Sequence, residues 1–195
     1  MTIQTQLFEG KLIRLAPIDH EKDAEVQARW TNDPDFLHAL GGEPARPVSP
    51  AQMKKKFEAI EKQLEESKNS FYFTIRSLDD NRLLGFVRLD WIEWTHSTGN
   101  LRMAIGDAAE RGKGYGSEAL RLVLRFAFDE LNLYRLSAAL GEDNPAGLRF
   151  FERHGFTQEV RRRQALQRGG KFWDAIHLGL LEDEWRQHNP QEVAR

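Results

Sequence analysis

Apolar positions along this chain follow two periods that change over at recognisable punctuation. Residues 7–15 alternate loosely and predict a strand that stops before Pro17. Asp19 stands where a helix N-cap is expected, ahead of a weakly amphipathic segment that reaches Trp30. Asn32, Asp33 and Pro34 then end that helix. Gly41, Gly42, Pro44, Pro47 and Pro50 make residues 41–50 a loop, long enough to carry function. Ser49, Pro50 and Gln52 form a capping-box signature. Met53, Phe57, Ile60 and Leu64 follow at i, i+4, i+7 and i+11, which sets them on one helical face packed on a core.

The period then shortens to two. Phe71, Phe73 and Ile75 alternate with Tyr72, Thr74 and Arg76, and an Asp79-Asp80-Asn81 turn leads into a second strand. That strand carries Leu83, Gly85, Val87, Leu89 and Trp91 on one face, so the two predict an antiparallel hairpin. Leu101, Met103 and Ile105 mark another strand, before a glycine-rich segment and a helix over residues 116–131. Residues 136–140 are nearly all apolar, the pattern of a strand buried on both faces. Asn144 and Pro145 open a helix that Gly155 closes. A hairpin over residues 157–180, turning at Gly169 and Gly170, completes the pattern. The order β α α β β β α β α β β reads as an α+β fold around a mixed sheet with a C-terminal β-hairpin, in one domain spanning residues 1–195.

Composition removes several functions. The 195 residues carry 28 Lys+Arg against 30 Asp+Glu, a net charge of −2, and so lack the basic excess of a nucleic-acid binder. With no cysteine, thiolate catalysis, disulfides and Cys-ligated metals are excluded. The six histidines show no HxH, HxxxH or HExxH spacing, so no metal is expected. No apolar run approaches the roughly 20 residues that span a bilayer. Residues 1–10 lack the basic and apolar regions of a secretory signal, so the expected address is the cytoplasm, with no membrane partner.

The chemistry concentrates in Arg111, Gly112, Lys113, Gly114, Tyr115, Gly116 and Ser117, between a strand and a helix. Glycine lets a backbone approach a ligand closely, and the N–H groups that open a helix have no intrahelical partners. Together with the positive end of the helix dipole they make an anion site suited to a phosphate or pyrophosphate, and Arg111 and Lys113 add charge. A Walker A loop fails, because Gly114 follows Lys113 where Ser or Thr is required. A Rossmann fingerprint can be laid on Gly114, Gly116 and Ala119, but residues 107–113 intervene where an immediate turn is needed.

Arg111-x-x-Gly114-x-Gly116 resembles the Q/R-x-x-G-x-G/A signature of the GNAT N-acetyltransferase superfamily. Asn144-Pro145-Ala146-Gly147, with Phe151-Glu152-Arg153-His154-Gly155-Phe156, is similar to that family's N-x-x-S…Y-E-K-x-G-F helix. Trp30-x-Asn32-Asp33-Pro34 and Gly170-Lys171-Phe172-Trp173-Asp174 resemble its ribosomal-protein-alanine and spermidine acetyltransferase-like branch. The likeness covers about residues 9–186. It implies a central, splayed mixed sheet flanked by helices, and acetyl-CoA as cosubstrate. Met103, Ala104 and Ile105 would pair with the pantetheine amides as an added strand would. The amides of Gly112, Gly114 and Gly116 would hold the pyrophosphate, with Arg111, Lys113, Tyr115 and Ser117 beside them. Asn144 would meet the pantetheine arm, besides capping its own helix, with Phe151 and Arg153 further along that helix.

The resemblance further implies transfer to a primary amine, on a small molecule or a peptide, by direct attack in a ternary complex. Relatives of this kind often form homodimers. A lysine-like amine of pKa about 10.4 must lose a proton, and the N–H of Ile105 could steady the developing oxyanion. Two departures bear on the chemistry. The family's tyrosine acid is Phe151, and the strand position that often holds glutamate reads Asn100. Asp90 and Glu93 are the nearest carboxylates in sequence on the acceptor side and stand as candidate bases. His96 lies near them. Within Arg161-Arg162-Arg163 strand alternation sets Arg162 opposite its two neighbours, on a solvated strand or an anionic-acceptor site. A CoA-binding module without turnover and a Rossmann oxidoreductase remain open as alternatives.

Overall fold

Seven strands form one sheet in the computed structural model, which describes residues 6–40 and 46–189. They are β1 (Ile13–Ala16), β2 (Phe71–Ser77), β3 (Leu83–Glu93), β4 (Thr98–Ile105), β5 (Arg135–Gly141), β6 (Thr157–Arg168) and β7 (Lys171–Leu181), in the order β1-β2-β3-β4-β5-β7-β6. The helices are α1 (His20–Trp30), α2 (Pro34–Leu40), α3 (Pro50–Ser67), α4 (Tyr115–Arg125), α5 (Pro145–Arg153) and α6 (Glu182–His188). Gly41, Gly42 and Pro44 of the expected loop lie outside the described residues.

Neighbouring strands pair antiparallel except β4 and β5, which run parallel. That parallel ladder holds only Thr98 with Arg135, Gly99 with Leu136, and Asn100 with Ser137. Residues 101–105 continue along β3 alone. A single parallel pair is not a dinucleotide-binding sheet, and the Rossmann alternative falls on that topology.

Strand alternation sorts the side chains into two cores. Val87, Leu89 and Leu101 pack with Leu120 and Val123 of α4 and with Phe151 of α5. On the opposite face Tyr72 and Phe86 pack with Trp30, Phe36, Met53 and Phe57 from the α1–α3 side. That second cluster includes residues of β2, β3 and β4 but none of β5. The strand expected to be buried on both faces is therefore buried on one. Leu136 and Ala138 are buried, whereas Ser137 is half-buried and Ala139 exposed.

Other departures from the pattern have local causes. The first strand begins at Ile13 rather than at residue 7, because the Gly10 N–H donates to the Ile13 carbonyl at 2.8 Å and reverses the chain. Glu118, in the first turn of α4, accepts from the N–H groups of Lys11, Leu12 and Ile13 at 2.7, 2.6 and 3.0 Å. Pro34 starts α2 instead of ending structure: proline suits a first helical position, and Asp33 accepts from the Asp35 N–H at 2.9 Å. Trp91 leaves the core face at a bulge between Asp90 and Glu93; its φ is 50° and it is 71% exposed. The helix expected over 116–131 is α-helical from Tyr115 to Arg125, then a π turn over Phe126–Glu130. Helix α6 gave no sequence signal, since Trp185 is its one large apolar residue; that ring is buried against Phe128.

Glu118 thus ties β1 to the helix that follows the glycine loop. A hydrogen bond to a charged acceptor contributes about 1.5–3 kcal/mol. Glu118→Ala should therefore lower unfolding free energy by about 2–3 kcal/mol in urea titration. A change within about 0.5 kcal/mol would show that the three bonds carry no weight.

Candidate functional site

The gap between β4 and β5 is lined by peptide groups. The Gly106 N–H donates to the Leu84 carbonyl at 2.9 Å, so Gly85 and Ile105 form a non-hydrogen-bonded pair across β3 and β4. By alternation the peptide groups of Ile105 and Met103 point away from β3, into the gap, while those of Ala104 bond to β3. The side chains of Met103, Ala104 and Ile105 are all half-buried. The Ile105 carbonyl accepts from Arg111 Nε at 3.2 Å. A peptide edge left unpaired inside a sheet calls for a partner of another kind.

The same strand leads into the glycine loop. A 3₁₀ turn over Ala108–Glu110 is capped by Asp107, and Gly112 and Gly114 then take φ of 77° and 92°. Gly114 is the N-cap of α4 and offers no side chain to the first-turn N–H groups, so those donors open outward. A Cβ on Gly112 would meet nothing within 4 Å, and on Gly114 only Leu12, at 3.5 Å. The space beside both glycines is open. A Cβ on Gly116 would lie 3.6 Å from Phe150 and 3.8 Å from Ile105, so the Phe150 ring stands beside the end of the open strand. Sequence reasoning missed Phe150; its signal was one turn of helical spacing from Ala146 and Arg153. Ser117 is half-buried in the first turn, and Tyr115 packs against the α4 core.

Charge is arranged differently from expectation. The Arg111 guanidinium, whose sign suits an anion, is held by protein groups. It donates to the Gly106 carbonyl at 3.0 Å and to Asp33 Oδ2 at 2.6 Å, besides the Ile105 carbonyl. Burial opposes the charge on Asp33, yet hydrogen bonds from Arg111 and the Asp35 N–H hold its carboxyl below the usual 3.8. The pair is therefore charged at neutral pH, and its contribution is lost only as the medium falls below that value. Lys113 is half-exposed and paired with Glu110 at 3.0 Å, leaving its ammonium at the loop's edge.

On α5, the Asn144 side chain accepts from the Gly147 N–H at 2.9 Å, so it does cap the helix. Phe151 is 5% exposed and packs edge-on against Phe150 and Phe156, which buries it in the core beside the gap. Arg153 is exposed, three residues from Phe150 on that helix.

The two candidate bases separate. Asp90 is buried and ion-paired with Arg88 and with Arg102, the latter at 2.6 Å. Glu93 is exposed and pairs in register with Thr98, two residues before Asn100, where β4 and β5 part. Register puts both carboxylates on the α1–α3 face, the face on which β5 is open. His96 lies exposed in the turn beyond them. Arg162 shares this face by its register with Ala175 and Gly141, whereas Arg161 is paired with Glu142 and Asp174.

The acetyltransferase (GNAT) domain family matches residues 13–157. "Probable N-acetyltransferase YjcK" of Bacillus subtilis is 29% identical over 93% of this chain and 100% of its own. Among solved structures, one titled "Probable acetyltransferase" superposes with a TM-score of 0.80 at 22% identity, over 93% of this chain and 98% of that one. Spermidine N-acetyltransferase from Vibrio cholerae, in complex with CoA and spermine, superposes with a TM-score of 0.75 at 18% identity, over 89% and 97%.

Asp90 and Glu93 should differ in stability tests. Breaking a buried ion pair from one side costs about 3–5 kcal/mol, and Arg102 keeps some solvent, so Asp90→Asn should cost about 2–3 kcal/mol. Glu93→Gln should stay within about 0.5 kcal/mol. Equal effects in urea unfolding would contradict this division.

Proposed function

The chain belongs to the GNAT acetyltransferase family and is an acetyl-CoA-dependent N-acetyltransferase; from that premise we propose that the β4–β5 gap takes the pantetheine arm, the glycine loop the pyrophosphate, and the open face of β5 a primary amine. The observation that carries this reading is the continuity of two donor sets. The gap-facing Met103 peptide groups and the Ile105 N–H lead, through the glycine loop, to the uncapped N-terminus of α4. A long ligand with amides at one end and phosphates at the other fits both.

In this reading the amides of Gly112, Gly114 and Gly116 bind the pyrophosphate, with Ser117 and the Lys113 ammonium beside them. Arg111 contributes through its peptide and its hold on the strand. Tyr115 contributes its amide, since its ring belongs to the core. The Asn144 amide nitrogen faces the arm while its oxygen caps α5. Phe150 and Phe151 form the apolar wall, and Arg153 stands where the ligand's outer phosphate would pass.

Acetyl-CoA supplies an activated acetyl group on a thiol, and a thiol of pKa about 8.5 can leave as thiolate without a strong acid. That suits the absence of a hydroxyl at Phe151. The Ile105 N–H is available to the oxygen that gains charge as the amine attacks. Glu93, through a water, takes the amine's proton. Asp90, engaged by two arginines, shapes the floor rather than moving a proton. The acceptor is a small amine or a peptide amine, and the spermine found with the Vibrio cholerae enzyme supports the small-amine arm. The cytoplasm, a single domain and a homodimer belong to the same proposal.

An acetyl-transfer assay against a panel of polyamines, amino acids and peptide N-termini tests it, with acetyl-CoA as donor. Acetyl-CoA should raise the melting temperature of the unmodified protein by mass action. Gly114→Val should remove that rise, because its φ of 92° strains a branched residue and its side chain fills the loop's open side. Glu93→Gln should slow transfer by about 10²- to 10⁴-fold at neutral pH, without weakening acetyl-CoA binding. A loss below about threefold would remove Glu93 from the chemistry.

A further inference from the structure

One ion pair joins the corner between α1 and α2 to the start of the glycine loop, and nothing above needs it for chemistry. Asp33 Oδ2 and Arg111 Nη2 are 2.6 Å apart. The same guanidinium binds two consecutive carbonyls, Ile105 at 3.2 Å and Gly106 at 3.0 Å. Asp35 adds a longer contact at 3.8 Å. The corner is seated a second time. Trp30 lies flat against Gly106, where a Cβ would come within 2.0 Å of the indole. Trp30, Asp33, Ile105, Gly106 and Arg111 therefore make one joint between the acceptor-side helices and the end of the open strand.

A guanidinium has five donors in one plane and carries its charge at every working pH. Placed one residue before Gly112, it would be drawn to any anion in the loop. Asp33 competes for it and keeps its plane turned onto the two carbonyls. The Ile105 carbonyl then stays occupied, and the Ile105 N–H stays presented to the gap. We propose that Asp33 is a positioning residue for cofactor binding, holding Arg111 on the Ile105 and Gly106 carbonyls so that the strand end keeps the geometry that receives acetyl-CoA. The proposal rests on the assignment of acetyl-CoA to this gap.

Asp33 also caps α2, and the test must separate the two duties. Asn and Ser both serve as N-caps, so Asp33→Asn and Asp33→Ser keep the cap and remove the charge. The melting temperature of each ligand-free variant identifies those that fold as the unmodified protein does. In these the dissociation constant of acetyl-CoA, measured by calorimetric titration, should rise at least about fivefold, while kcat at saturating acetyl-CoA stays within about twofold. Asp33→Glu should recover part of the affinity. Backbone amides over residues 105–112 should exchange faster in the ligand-free Asp33→Asn protein than in the unmodified one. Unchanged or tighter acetyl-CoA binding with unchanged exchange would overturn the proposal, since a merely competing carboxylate would release Arg111 to the ligand. If the unmodified protein bound no acetyl-CoA, the cofactor assignment would fall, and exchange at residues 105–112 would still judge the joint.

Discussion

A parallel pair of strands that separates after three rungs leaves main-chain donors and acceptors facing across a gap, and buried peptide groups do not stay unpartnered. Beyond Asn100 and Ser137 the interior edge of β4 has no strand to bond. Met103 and Ile105 turn their peptide groups toward that space, and the strand delivers the chain into a helix whose cap residue has no side chain. In the proposed reading the acyl-carrier site would be a missing piece of sheet, recognised through backbone groups rather than through many charged side chains.

Keeping such a gap open requires that the rest of the sheet hold β4 from its other side and its end. The antiparallel ladder to β3 does the first. The second falls to the joint of Trp30 on Gly106 and Asp33 on Arg111, while Glu118 secures β1 against the start of α4. The helices divide unevenly over the two faces. Helices α1–α3 cover β2–β4, so the open face of β5 flanks the point where the strands part. The carboxylates Asp90 and Glu93 sit on that same face, which the proposed reading gives to the acceptor.

Much of this was legible in the residues. Alternation located four strands, the Gly169-Gly170 turn two more and an apolar run the seventh, and the capping box located α3. What escaped depends on contacts between distant segments. The pattern of residues 136–140 cannot say that no helix covers one face of β5. Arg111 reads as a phosphate ligand by charge, and only folding brings Asp33 to it from 78 positions away. Asp90 and Glu93 look alike in sequence, yet a bulge at Trp91 leaves one exposed and the other clamped between arginines. Phe150 carries no motif of its own, and only the fold brings its ring beside Gly116. Pro34 reads as a stop in sequence, yet proline also opens helices, as it does at α2.

The central claim is that the gap-facing peptide groups of Met103 and Ile105, with the N–H groups of the glycine loop and the first turn of α4, form the acetyl-CoA site. Amide hydrogen exchange with and without acetyl-CoA tests it most directly, because it reports on the peptide groups themselves. The account predicts slowed exchange at Met103, Ile105 and residues 112–117, with the β1–β2 and β6–β7 ladders unchanged. Protection confined to other segments, or none in a protein that acetyl-CoA nonetheless stabilises, would contradict it.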